Sequence, residues 1–241
     1  VVRVNGSIVL NSARQVSAQD ELIIKLADQF VSRGGLKLDA ALSVFDIDVC
    51  GKRALDAGAS TGGFTDCLLQ RGINEVVAVD VGKGQLHEKI AKDPRVKVID
   101  SFNIRQLVEV ELPDEFSNPF DIVVADLSFI SLKSVASALR ARLSEDGHLV
   151  VLVKPQFEAG RSEVKKGLIK DPAVHERVLR EIAAALVEIH GQHDDRALAQ
   201  VAHVSQDIQG AGSSIDQVAY QPEPVAQGVR SEEHTSELQS R

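Results

Sequence analysis

The sequence predicts an α/β fold, doubly wound around a mostly parallel sheet and preceded by a small hairpin unit. Three observations carry the prediction. Short apolar runs, 53-RALDAG-58, 75-EVVAVD-80, 96-VKVID-100, 121-DIVVAD-126 and 148-HLVVLVK-154, recur every 20 to 28 residues. They are continuous rather than alternating, the pattern of strands covered on both faces. Helical stretches fill the gaps between them.

In chain order, 1-VVRVNGSIVLNSARQVSAQDELIIKL-26 reads as a hairpin, with Asn5-Gly6 between short strands and 20-DELIIK-25 as a further strand. After the strand at 53–58, 61-TGGFTDCLLQRG-72 is a helix ended by its last glycine. The helix over 83-KGQLHEKIAKD-93 stops before Pro94, and 131-SLKSVASALRARL-143 carries Leu132, Val135, Leu139 and Leu143 at helical spacing. A last helix, 172-PAVHERVLREIAAALVEIHG-191, opens with proline in its first turn and closes on glycine. No internal repeat or low-complexity tract interrupts the series.

Composition narrows the function classes. The chain has 241 residues, 44% hydrophobic and 26% charged, enough for one substantial core and a small appendage. No apolar run approaches the roughly 18 residues that span a bilayer, and the N-terminus lacks a secretory layout, so a cytoplasmic location without a membrane partner is expected. Cys50 and Cys67 form no CxxC pair and read as structural thiols of a reducing compartment. The sequence contains no methionine and is expected to begin inside a longer reading frame. Its last twelve residues, 230-RSEEHTSELQSR-241, resemble a translated sequencing adapter and are set aside. The formal charge of -8 becomes -7 without them, because two arginines leave with three glutamates. That acidic balance argues against nucleic-acid binding by the whole surface, DNA included, while leaving room for a local basic groove.

The strand ends carry the chemistry. Asp56, Asp80, Asp126 and Lys154 stand at the ends of four apolar runs and Asp100 at the end of the remaining one. Ligands of an open parallel sheet bind in the crevice beyond the carboxyl ends of the strands, so a row of charges there marks a site. In 56-DAGASTGGF-64 the chain turns through Gly58 and Gly62-Gly63, which lets backbone N–H groups approach a ligand. The spacing is neither GxGxxG nor GxxxxGK[ST], which disfavours a pyrophosphate or triphosphate site. Asp80, 22 residues past Gly58, is positioned to take the hydroxyls of a ribose. A nucleoside without pyrophosphate follows, and S-adenosylmethionine fits. Asp56, Gly58, Ser60, Thr61, Gly62 and Gly63 would then lie near its amino-acid part, Asp80 on the ribose, Asp100 to Asn103 near the adenine, and Asp126 on the rim.

The segments 31-VSRGGLKL-38, 55-LDAGASTGGFTD-66, 77-VAVDVGKGQL-86, 125-ADLSFISL-132 and 153-VKPQFE-158 resemble the TlyA family of bacterial rRNA 2′-O-methyltransferases, whose catalytic domain is of the FtsJ type. The resemblance covers residues 1 to 216. It implies a Rossmann-like methyltransferase that uses S-adenosylmethionine to methylate a cytidine ribose 2′-hydroxyl in ribosomal RNA or ribosomal subunits. It further implies a Lys-Asp-Lys-Glu set, in which Lys37, Asp126 and Lys154 take the first three places. Lys154 would be the base, Asp126 its orienting partner and Lys37 a second cation beside it. Pro155 would fix the chain as it leaves the strand. A lysine can serve as base only when partly neutral, which burial and a neighbouring cation favour.

The fourth place departs from the family. The expected SPI-x-G-x-x-GN-x-E and following strand are replaced by 205-SQDIQGAGSSIDQVAYQPEP-224, where an ungapped count puts Asp216 at the glutamate position. The change points to an altered reading frame. The implied organisation is a remnant of a small RNA-binding domain over 1–27, the methyltransferase domain over 28–216 and an aberrant tail over 217–241.

Arg161, Lys165, Lys166 and Lys170 form a basic loop suited to phosphates, and Phe157 could stack on a base or simply pack. His87-Glu88 lacks the second histidine of HExxH, and His175, His190, His193 and His203 have no metal-ligand spacing, so no metal is assigned. Two other readings stand beside the enzyme. A membrane-active haemolysin, a name some members of the family carry, requires an amphipathic or apolar segment that the α/β core does not already use. A non-catalytic RNA-binding or assembly protein on the same scaffold would accord with the altered C-terminus.

Overall fold

A parallel sheet is buried on both faces only if its strands are apolar at successive positions, and the strands of this chain meet that condition. The computed structural model describes residues 2–11, 13–24, 28–109, 111–160, 162–191 and 199–203. The N-terminal hairpin pairs β1 (Val2–Val4) antiparallel with β2 (Ser7–Ile8). Asn5 and Gly6 both take positive φ, 50° and 78°, as the tight hairpin turn requires. Asn5 Oδ1 accepts the Glu21 N–H at 2.9 Å, which brings β3 (Leu22–Ile24) antiparallel to the other side of β1.

The larger unit begins with α1 (Arg33–Val44) and then alternates. In order come β4 (Arg53–Ala57), α2 (Gly63–Gln70), β5 (Glu75–Asp80), α3 (Glu88–Ala91), β6 (Val96–Asp100), β7 (Phe120–Ala125), α4 (Ala136–Arg140), β8 (Leu143–Val153), α5 (Pro155–Glu158), α6 (Pro172–Gly191) and β9 (Ala199–His203). Six strands make one parallel sheet in the order β6-β5-β4-β7-β8-β9. The direction of winding reverses between β4 and β7, and the crevice at such a switch point is where ligands of this architecture bind.

Successive strand residues feed the two faces. Leu55, Val77, Val123, Leu149 and Val151 join one buried cluster, with Leu139 of α4 and Val178, Ile182 and Leu186 of α6. Ala54, Val76, Ile122, Val124, Val150 and Leu152 join the other, with Leu38 and Leu42 of α1 and Leu68 of α2. Each such Val, Leu or Ile contributes about 1.5–3 kcal/mol on leaving water. The amino end of the sheet is pinned by Arg53, whose guanidinium lies 4.1 Å from the Phe120 ring centroid and pairs with Glu75 at 2.7 Å.

Three expectations are corrected. Leu143 is not the end of a helix: α4 stops at Arg140, and Leu143 pairs with Phe120 before the ladder resumes at Ile122 and His148. Leu143 is buried against the same cluster as Leu132, Val135 and Leu139, so its spacing could not distinguish strand from helix. A 3-10 turn at Leu132–Ser134 precedes α4, so the expected helix is two shorter pieces. The expected helix over 83–93 is reduced to α3, because the segment before it is a turn with Gly84 at φ 63° whose amides bind side chains of the sheet. Gly82 N–H donates to Asp80 Oδ1 (2.7 Å) and Gly84 N–H to Asp100 Oδ2 (2.9 Å). The sheet also has a sixth strand, β9, that sequence reading did not anticipate.

Candidate active site

The crevice is assembled from the loops that leave β4, β5, β7 and β8. Gly58 follows β4 at φ 84°, and a Cβ there would lie 2.9 Å from the Asp126 carbonyl oxygen, so only glycine lets the β4 and β7 loops come this close. The same contact is reinforced by the Asp126 N–H, which donates to Ala57 O at 3.1 Å. Gly62 at φ 91° turns the chain into α2, against which Leu86 and Ile90 pack.

Asp80 is held by two backbone amides. Its Oδ2 accepts the Ser60 N–H at 2.8 Å and its Oδ1 accepts the Gly82 N–H at 2.7 Å, so one carboxylate ties the turn after β4 to the loop after β5. Thr61 O accepts the His87 N–H at 3.1 Å and closes the same loop onto the turn. The end of β6 is drawn in as well, since Phe102 N–H donates to Asp80 O at 3.0 Å. Asn103 follows directly, and its Oδ1 accepts the Arg105 N–H at 3.1 Å, capping a short 3-10 turn.

Asp56 sits in the centre of the sheet with no exposed surface. Thr65 Oγ1 donates to Oδ2 at 2.6 Å, while Oδ1 has no hydrogen-bond partner among the described residues. Burial pushes its carboxyl up to about 7, the negative charges of Asp126 and Asp80 add to the rise, and the Thr65 hydrogen bond opposes it. A buried, half-satisfied carboxyl is expensive in a core that needs no polar group there, and such groups concentrate at functional sites.

Lys154 and Asp126 meet where β7 and β8 end. Lys154 Nζ lies 2.6 Å from Asp126 Oδ1, an approach too poorly aligned for a hydrogen bond, and donates a well-aligned one to Ser128 Oγ at 2.7 Å. Pro155 opens α5 directly after the lysine, as the first turn of a helix permits. Lys37 reaches the same place from α1. Burial holds its amine below the usual lysine range, the nearby Asp126 opposes the shift, and the Lys154 and Arg33 charges add to it. The α1 helix can bring Lys37 in because Gly35 and Gly63 leave no side chains in the way: a Cβ on Gly35 would be 2.3 Å from Phe30, and one on Gly63 would be 2.1 Å from Ser32 Oγ. The Val31 N–H, donated to the buried Asp66 Oδ2 at 2.8 Å, fixes the entry to that helix.

A family model for FtsJ-like methyltransferases matches residues 30–193, the stretch that holds all of these loops. The chain belongs to the FtsJ-like methyltransferase family. Within this methyltransferase family its relatives are of the TlyA kind. It is 44% identical over 191 residues to the 16S/23S rRNA (cytidine-2′-O)-methyltransferase TlyA of Mycobacterium tuberculosis, covering 78% of this chain and 70% of that one. It is 36% identical over 220 residues to Hemolysin A of Brachyspira hyodysenteriae, covering 91% and 88%. A crystal structure from Lactococcus lactis, described as a candidate hemolysin, superposes with a TM-score of 0.63 at 42% identity, covering 66% of this chain and 76% of that one. No helix among the described residues is long and apolar enough to cross a membrane.

The structure thus brings together Lys37, Asp126 and Lys154 on one side of the crevice and Asp56, Gly58, Ser60, Thr61, Gly62, Gly63 and Asp80 on the other, with Asn103 at the edge. Asp216 and the 217–241 tail, including 230–241, lie outside the described residues, as does Arg161. Sequence reading passed over Ser128, the hydrogen-bond partner of Lys154, and Phe129 beside it. Phe129 has a φ of 64°, strained for a side chain of its size, and a ring 90% exposed, set 5.1 Å from the Phe157 ring. An exposed aromatic beside the amine is a surface for a planar ligand, and its only sequence signal was its place within ADLSFISL.

Proposed function

We propose that this methyltransferase transfers the methyl of S-adenosylmethionine to the ribose 2′-hydroxyl of a cytidine in ribosomal RNA. The observation that carries the reading is the convergence of Lys154, Asp126 and Lys37 at the switch-point crevice, beside a glycine turn already cross-tied to Asp80. When bound, S-adenosylmethionine supplies an electrophilic methyl on a cationic sulfur. The residues fit that ligand. The Asp80 carboxylate, held by two amides, keeps acceptor capacity for ribose hydroxyls. The buried Asp56 has no partner for Oδ1 among the described residues and would suit a cationic amino-acid group, with Gly58, Ser60, Thr61, Gly62 and Gly63 supplying close backbone approach. Asn103 and the end of β6 stand where the adenine would lie.

Lys154 takes the proton of the attacking hydroxyl, and the geometry explains how it is aimed. Ser128 accepts a hydrogen bond from Nζ and the Asp126 carboxylate lies against the same amine, so the lysine is held at the crevice where the ribose oxygen would approach. Lys37 places a second amine, its charge disfavoured by burial, in the same field. The cations Lys165, Lys166 and Lys170 follow α5 and suit RNA phosphates, and Phe129 offers its exposed face to the base of the target nucleotide. The N-terminal sheet of β1, β2 and β3 serves RNA as the end of a small RNA-binding domain over 1–27, and the methyltransferase domain occupies 28–216. The protein works in the cytoplasm, where its substrate is.

The test is transfer of radiolabelled methyl to ribosomal subunits and to protein-free rRNA as separate arms, with digestion to nucleosides to locate the label. Wild-type protein is expected to label the 2′-oxygen of cytidine, and Lys154→Ala to lower the rate at least a hundredfold with unchanged cofactor binding. Absence of transfer by the wild type on both substrates overturns the reading, and label on a base atom overturns the 2′-oxygen assignment.

A further inference from the structure

The loop that carries Asp126, Ser128 and Phe129 is tied at three levels to the segment that carries Lys154. Nearest the sheet, Lys154 Nζ meets Asp126 Oδ1 at 2.6 Å and Ser128 Oγ at 2.7 Å. Next, the Phe129 and Phe157 rings lie with centroids 5.1 Å apart. At the far end Glu158, the last residue of α5, accepts the Ser131 hydroxyl through Oε2 at 2.6 Å and the Leu132 N–H through Oε1 at 2.8 Å.

Besides these ties, Leu127 and Ile130 pack partly buried against the core, and Ser131 O accepts the Ser134 N–H at 3.1 Å. Asp126 N–H is bonded to Ala57 O, but among the described residues no amide from 127 to 131 donates to another backbone group. The ring of Phe129 is exposed and its backbone strained, so burial does not fix it either. Both oxygens of Glu158 are engaged on one loop, and that loop holds both groups that meet Lys154 Nζ. A carboxylate accepting two donors 26 and 27 residues earlier in the chain is a clamp between α5 and the β7 loop.

We propose that Glu158 is a positioning residue for methyl transfer: by clamping the 126–132 loop to α5 it fixes Asp126 and Ser128 against Lys154 and holds Phe129 at the mouth of the crevice. The inference rests on the methyl-transfer reading above and deepens it. The cofactor loops, 56–63 and 80–84, make no contact with Glu158 through these bonds, so the clamp acts on the rate of transfer rather than on cofactor affinity. A residue that only caps the 3-10 turn at Leu132–Ser134 would alter stability and leave the rate alone.

The experiment compares the wild type with Glu158→Ala, Glu158→Gln and Ser131→Ala in three measurements: steady-state methyl transfer, cofactor binding by calorimetry, and hydrogen exchange of the Leu132 amide without cofactor. For Glu158→Ala the expected result is a kcat lowered at least tenfold, a cofactor Kd within twofold of wild type, and at least tenfold faster exchange at the Leu132 amide. Glutamine can accept the Leu132 N–H and donate to Ser131, so Glu158→Gln is expected to keep at least a third of wild-type kcat. Ser131→Ala removes one donor without touching the carboxylate, is expected to lower kcat about threefold and speed exchange, and serves if Glu158→Ala does not fold. The inference is overturned by an active wild type with an equally active, folded Glu158→Ala, by a cofactor affinity that falls in step with kcat, by unchanged exchange at the Leu132 amide, or by Glu158→Gln as slow as Glu158→Ala. A wild type that transfers nothing removes the methyl-transfer reading and the positioning role with it, an outcome told apart from the others by the wild-type rate alone.

Discussion

Replacing Asp56 by asparagine is expected to stabilise the protein at pH 8 and to leave its stability nearly unchanged at pH 4, an outcome opposite to that of most core substitutions. The carboxyl is fully buried, with Thr65 on one oxygen and no partner on the other among the described residues, and its pKa is raised from 3.8 to about 7. The unfolded chain releases this proton near pH 3.8, whereas the folded protein keeps it up to about pH 7. Between those values the folded state binds more protons, so stability falls as pH rises, and the loss is complete above about pH 7. At 1.36 kcal/mol per pKa unit the ceiling is about 4 kcal/mol, and local relaxation brings the expected gain of Asp56→Asn at pH 8 to about 2–4 kcal/mol. Urea unfolding followed by circular dichroism, on both proteins at pH 4 and pH 8, isolates the contribution, because every other titrating group is common to the two. The same variant is expected to bind S-adenosylmethionine at least tenfold more weakly at pH 8, since the charge that burdens the fold is the one a cationic ligand neutralises. An Asp56→Asn protein less stable than its parent at pH 8, or a stability difference that does not change with pH, refutes the reasoning.

Two further substitutions probe the crevice. Gly58→Ala puts a Cβ 2.9 Å from Asp126 O and 3.0 Å from Leu127 at a φ of 84°, and the strained backbone with the clash is expected to cost about 2–3 kcal/mol, read as a lower urea midpoint, while also separating the β4 and β7 loops and slowing transfer. Lys37→Met keeps the apolar stem and removes an amine whose charge is disfavoured by burial. The folded state sheds that proton at lower pH than the unfolded chain, so wild-type stability rises with pH through the lysine range. The variant is expected to lack that rise and to melt no lower than the wild type at pH 7, yet to transfer methyl at least tenfold more slowly; a variant with lowered melting and full activity contradicts the assignment.

The sheet was legible because burial on both faces writes itself as unbroken apolar runs, and the five runs named from the sequence are β4 to β8 within a residue or so at their carboxyl ends. Those ends matter most, since a charge closing an apolar run marks the crevice side. The α4 to β8 boundary was not legible, because Leu143 is equally buried whether it continues a helix or opens a strand. The missing first half of the 83–93 helix has a different origin. Gly82 and Gly84 give their amides to Asp80 and Asp100, so side chains on neighbouring strands outcompete the helical bonds that periodicity anticipates. Ser128, Phe129 and Glu158 carry no periodic signal at all. Their relationships run between loops, 26 residues apart for Lys154 with Ser128 and 27 for Glu158 with Ser131, and only the shared sheet brings them together.

The arrangement also explains why the two lysines come from different elements. An amine on β8 inherits the rigidity of a buried strand and the fixed exit imposed by Pro155, and its position relative to Asp126 is set by the β7–β8 ladder, in which Ala125 pairs with Val151. Lys37 has no such ladder. It is held by α1, which is held in turn by glycine contacts with the start of α2 and by the bond from Val31 to the buried Asp66. The start of α2 is the turn through Gly62 and Gly63. A displacement of that turn therefore moves Lys37 directly but reaches Lys154 only through the sheet. Lys154 is thus anchored through the sheet, and Lys37, whose charge burial disfavours, through the turn at Gly62 and Gly63.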